Sequence, residues 1–128
     1  MFSHVTVGAV DVARTARFYD AVLAPLGIAR FWTDEGGGVV GWRQDKEGSR
    51  FFVCTPFDER PASPGNGCMC AFAAPSQVAV ILAYEAALAN GGADEGAPGP
   101  RPHYGPDYFG AYVRDPEGNK LHFVHRAP

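Results

Sequence analysis

The sequence predicts an α+β fold made of two tandem modules, each a strand, a helix and then three strands. Three observations carry that prediction. A short apolar strand leading to a helix-capping residue occurs twice, at positions 4 and 69, an offset of 65. The helices that follow align at the same offset without a gap. A hairpin turn then recurs in each half, at positions 45 and 115, an offset of 70. Duplication on this scale is half a domain, longer than a solenoid repeat.

The first strand, His4-Val5-Thr6-Val7, leads to Asp11, and its counterpart, Met69-Cys70-Ala71-Phe72, leads to Ser76. Asp and Ser both cap helix starts by accepting a backbone N–H that has no helical partner. In the first helix Val12, Ala16, Tyr19 and Leu23 share one face with Phe18 and Val22 beside it, while Arg14, Arg17 and Asp20 point away. Pro25 disfavours helical geometry at Ala24 and ends the helix near there. The second helix is expected to bury Ile81, Tyr84 and Leu88 and to end at Asn90-Gly91-Gly92 through a left-handed cap.

The turns Asp45-Lys46-Glu47-Gly48 and Asp115-Pro116-Glu117-Gly118 fold strand pairs back on themselves, with Pro116 presetting the first turn position and Gly118 supplying a positive φ. Thr55 to Gly67 reads as an irregular crossover. Gly91 to Pro106 reads as a second irregular stretch that carries Arg101, His103 and Tyr104, suited to the rim of a site.

A chain of 128 residues forms one domain and buries a core without disulfides or a structural metal. Its net charge of -3 and its singly scattered Lys and Arg exclude a nucleic-acid or membrane-surface partner. No apolar run spans a bilayer, and the N-terminus enters a strand at once, so a cytoplasmic location is expected. Cys54, Cys68 and Cys70 lack zinc spacing and read as reduced thiols acting as small hydrophobes.

His4 in the first strand, Asp11 opening a helix with Phe18-Tyr19, Pro64-Gly65-Asn66-Gly67 ahead of the second module, and Asp115-Pro116-Glu117-Gly118-Asn119-Lys120-Leu121 occur in an order that resembles the vicinal oxygen chelate superfamily. This is also called the glyoxalase, bleomycin resistance protein and dioxygenase family, and the resemblance spans the chain. It implies two βαβββ modules, residues 1–56 and 67–128 joined by a crossover at 57–66, whose strands form a curled mixed sheet around a cup with the helices outside. It also implies a homodimer.

In metal-dependent members four corners of the cup, His or Gln and Glu residues, hold one divalent ion. The corners here are His4, Phe52, Met69 and His122, and a one-residue change of register exchanges Phe52 for Phe51. None is a carboxylate. A hemithioacetal isomerisation wants a Glu base beside the metal, and extradiol cleavage wants iron on two His and a carboxylate. His4 and His122 either hold a weak divalent metal (Zn, Ni, Co or Fe) or hydrogen-bond to backbone or to each other. Phe52 and Met69 line the cup, and Trp42, Arg43, Tyr104 and Tyr108 are further candidates for contacting a ligand. His103 and His125 read as structural or surface residues.

The leading expectation is a protein that binds a small apolar or aromatic molecule between its modules, with metal absent or weakly held. One alternative is a metal-dependent lyase, isomerase or dioxygenase using His4 and His122. Another is a resistance-type protein that sequesters a drug.

Overall fold

The structure is a computed structural model that describes residues 1–34 and 36–127. Its elements run β1 (His4–Gly8), α1 (Val12–Leu23), β2 (Ala29–Thr33), β3 (Val39–Arg43), β4 (Arg50–Cys54), β5 (Met69–Ala73), α2 (Gln77–Ala89), β6 (Ala93–Pro100), β7 (Tyr108–Arg114) and β8 (Lys120–Arg126). Strand, helix and three strands therefore occur twice. Both capping residues act as their types dictate: the Asp11 carboxylate accepts the Arg14 N–H, and the Ser76 hydroxyl accepts the Ala79 N–H, each at 3.0 Å.

The strands form two four-stranded mixed sheets, ordered β1-β4-β3-β2 and β5-β8-β7-β6. In each, the first strand of the module runs parallel to the last. The two sheets approach one another along β1 and β5 without strand pairing, so the curled sheet is in two unjoined halves. Thr6 pairs with Phe52 where Ala71 pairs with His122. Phe51 belongs to the core, 5% exposed, so Phe52 is the structural counterpart of His122.

The core lies between the sheets and the helices. Tyr19, Trp42, Phe51, Phe72 and Phe123 form a run of tilted and edge-on aromatic contacts that crosses from one module to the other. The helix α1 buries the expected face, with Thr15 added to it. Its backbone stays helical at Ala24 and passes into a short 3-10 turn over Ala24–Leu26, closed by Gly27 at φ +76°.

The buried face of α2 differs from the expectation. Ala79, Val80, Ala83 and Ala87 are buried, Ile81 and Tyr84 are half-buried, and Leu88 is exposed. The alanines bring α2 close to α1, and on a helix apolar nearly all round the large residues do not mark the packed side. The stretch from Gly91 to Pro106 is also more regular than its glycines and prolines imply. Half of it is β6, paired to β7 with two register shifts.

The second hairpin turn fastens the modules together. Asp115 Oδ1 accepts the N–H groups of Glu117 and Asn119, and Gly118 adopts φ +90°. The same turn then reaches the first module. Glu117 accepts the Val10 and Asp11 N–H groups at the start of α1, Asn119 donates to the Gly8 carbonyl, and Tyr19 donates to Asp115 Oδ2 at 2.6 Å. A carboxylate at a helix N-terminus satisfies orphan donors and sits at the positive end of the dipole. Burial raises the Glu117 carboxyl, but those two backbone bonds and Arg14 outweigh it and leave it lowered.

Candidate functional site

Each sheet turns one side to the core and offers an aromatic surface on the other. On the first sheet Phe52 lies across Gly41, where a Cβ would stand 2.6 Å from its ring. A register shift in β2 between Arg30 and Trp32 lets two successive residues reach Phe52, with Phe31 and Trp32 ring centroids 6.1 and 6.4 Å away. The His4 ring meets Phe52 edge-on at 5.6 Å, and Arg43 lies 4.5 Å over Phe31.

On the second sheet His122 lies across Gly110, where a Cβ would come within 2.5 Å of its Cε1. Tyr112 stacks on the imidazole at 4.0 Å and Tyr108 at 5.8 Å. His122 is 1% exposed, and both its ring nitrogens are engaged: Nδ1 with the Ala111 carbonyl at 2.9 Å, Nε2 with the Tyr108 hydroxyl at 2.7 Å. A carbonyl only accepts, so Nδ1 carries the proton and Nε2 accepts from Tyr108. Burial pushes the His122 pKa below its usual value, Arg101 and Lys120 push it the same way, and the Ala111 carbonyl partly opposes them. The lowering favours the neutral ring.

Of the expected contacts, Phe52, Arg43, Tyr108 and Tyr104 belong to these surfaces, Tyr104 reaching Tyr108 at 5.2 Å from a 3-10 turn. Trp42 does not. It is 0% exposed, packs on Tyr19 and Phe51, and donates its indole N–H to Asp20 at 2.9 Å. Alternation along β3 sends Val40 and Trp42 to the core and Arg43 to the other side.

The four corners divide between the sheets. Among the described residues, two of the four main cavities reach Met69, and none of the four is lined by His4, Phe52 or His122. Met69 is 44% exposed, and His4 is exposed with Nδ1 hydrogen-bonded to Ser3 Oγ at 2.9 Å. This donor set does not fit a divalent ion held on protein ligands. It offers a phenyl ring, a thioether, one exposed imidazole on His4 and a second imidazole, on His122, whose free lone pair already accepts a hydroxyl. Among the described residues, no three His, Cys, Asp or Glu converge.

The His103 ring lies tilted against Tyr104 at the surface, and His125 Nδ1 bonds to the Ala74 carbonyl. The cysteines are unpaired, and burial raises the Cys70 thiol to about 11. The residues that sequence reasoning passed over are Tyr112, Lys120 and the two glycines beneath the rings. The alternation Tyr108, Gly110, Tyr112 on one strand opposite His122 was the available signal.

The model of the Glyoxalase/Bleomycin resistance protein/Dioxygenase superfamily matches residues 1–123. The chain belongs to this superfamily. It is similar in structure to a glyoxalase/bleomycin resistance protein from Albidiferax ferrireducens T118, at TM-score 0.87 and 38% identity over 99% of each chain. A glyoxalase-related enzyme from Fulvimarina pelagi matches at TM-score 0.75 and 21% identity, covering 98% of this chain and 88% of that one. Lactoylglutathione lyase from Agrobacterium tumefaciens matches at TM-score 0.69 and 18% identity, covering 98% and 92%. These last two show a shared fold alone. No curated protein matches. Among the described residues no helix is long and apolar enough to cross a membrane.

Proposed function

We propose that this glyoxalase-superfamily protein binds a small apolar or aromatic molecule against the aromatic surfaces of its two sheets, with metal absent or weakly held. The observation that carries the reading is His122, whose two ring nitrogens are both satisfied by the protein. A metal would have to displace the Tyr108 hydroxyl and would find no carboxylate corner. Rings around Phe52 and His122 offer flat apolar area with few polar anchors, as small-molecule sites do. Exposed Trp32 and Met69 support a homodimer that covers part of this surface. Unpaired thiols support a cytoplasmic setting.

The test is metal analysis of the purified protein together with titration of an aromatic ligand into chelator-treated protein. Saturable binding without metal supports the proposal. Stoichiometric zinc, nickel, cobalt or iron that is lost in His4→Ala and in His122→Gln would instead favour the metal-dependent lyase, isomerase or dioxygenase. Tight binding of a drug with no turnover would assign a sequestering role.

A further inference from the structure

Beside the second aromatic surface lies an open recess of about 400 Å³ whose wall includes Met69, Tyr104 and Tyr112 and two cations, Arg101 and Lys120. The Arg101 guanidinium and the Lys120 ammonium lie 5.7 and 5.4 Å from the Tyr112 ring centroid. Among the described residues neither forms an ion pair. The carboxylate in the wall, Glu95, is already committed to Arg114 at 2.7 Å. Two like charges thus converge on one ring, and the carboxylate in the wall is paired with a third cation.

Arg101 is also held in place. Its Nη1 donates to the carbonyls of Gly99 and Pro100 and its Nη2 to that of Ala97. A guanidinium has five N–H groups, so these three bonds fix its plane and leave two donors uncommitted. A cation that is preorganised, lacks a counter-ion and faces a recess is suited to charge-assisted hydrogen bonds with an anion. The Tyr104, Tyr112 and Met69 side chains supply flat and pliable apolar area next to it.

We infer that this recess takes a small organic anion, a carboxylate or phosphate group between Arg101 and Lys120 with a flat apolar body against Tyr104, Tyr112 and Met69. The inference rests on the small-molecule reading above and names the chemical class of the molecule.

The experiment titrates 1-naphthoate, and in parallel its uncharged counterpart 1-naphthalenemethanol, into the metal-free protein. Naphthoate is expected to bind at least about tenfold more tightly than the alcohol, the scale of one charge-assisted contact. Arg101→Gln and Lys120→Gln are each expected to weaken naphthoate about tenfold and to leave the alcohol nearly unchanged. Lys120→Gln is the cleaner variant, because Arg101 also ties down the end of β6; Arg101→Lys should restore part of the affinity. Equal binding of both probes, or naphthoate binding indifferent to both substitutions, would overturn the anion assignment and leave the small-molecule reading intact. Failure of both probes to saturate would overturn the two together.

Discussion

The Tyr108 hydroxyl donates to Nε2 of His122 across 2.7 Å, on the nitrogen that a metal-binding histidine in this place would have to offer. The bond ties the orientation of a buried imidazole to the first residue of β7. Tyr108→Phe removes the donor and leaves a buried acceptor unpartnered, at a cost of about 1–3 kcal/mol. Urea denaturation of the two proteins measures it. The variant should also raise the His122 pKa, since donation to Nε2 favours the neutral ring, and an NMR titration of the imidazole reads that change directly.

Stability should fall as pH falls through the histidine range. The His122 pKa is lowered in the folded protein from its ordinary value of 6.5, mainly by burial. Below that value the unfolded chain takes up a proton that the folded one resists. The contribution is therefore complete above about 6.5 and is lost progressively toward the folded pKa. His122→Gln should flatten this part of the pH–stability curve relative to the wild type. Identical slopes between pH 7.5 and 5 in the two proteins would show that the ring is not held neutral.

Much of the architecture was legible because its signals are local. Asp11, Ser76 and Gly118 act through bonds or dihedrals within a few residues, and the duplication sets Phe52 opposite His122 in the repeat. The misreadings lie where tertiary context decides. In α2 nearly every position is apolar, so the choice of Ala83 over Leu88 for burial depends on how closely α1 approaches. The glycines and prolines of β6 resemble a loop because what keeps it a strand is its tertiary pairing with β7. That Trp42 turns to the core is not legible either, because an aromatic residue on a strand does not reveal which side of the sheet it faces. The recess of Arg101 and Lys120 joins residues from β8 and the segment after β6, a relationship absent from local pattern.

The glycines beneath the two rings should differ in tolerance. Gly110→Ala sets a methyl group 2.5 Å from the ring of His122, which is buried and fastened at both nitrogens. The expected loss is about 1–3 kcal/mol, in the range of overpacking. Gly41→Ala presses on Phe52, whose ring has no hydrogen bonds to lose and is only half-buried. It should cost less. Thermal melts of the two variants make the comparison, and a larger loss at Gly41 would mean that the His122 side of the site is the more yielding one.

The junction between modules should be sensitive at the second hairpin turn. Tyr19 is buried, and its hydroxyl pKa is raised well above 10, first by burial and then by the Asp115 carboxylate that accepts its hydrogen bond. Tyr19→Phe removes one of the bonds to that carboxylate while keeping the ring, so about 1–3 kcal/mol should be lost without a change of fold. Glu117→Gln tests the other half of the junction. Its side chain is 8% exposed, and a carboxamide set against the Val10 and Asp11 N–H groups accepts through one oxygen where the carboxylate used two. Because the Glu117 pKa is lowered from 4.5 in the folded protein, its stabilising contribution is present above that value and disappears as pH falls through the folded one. The wild type should therefore lose stability more steeply than Glu117→Gln as the medium is acidified below about 4.5. Guanidinium denaturation at pH 7 and pH 3 measures the difference, and parallel losses in the two proteins would show that the start of α1 is held by the turn's backbone rather than by the Glu117 charge.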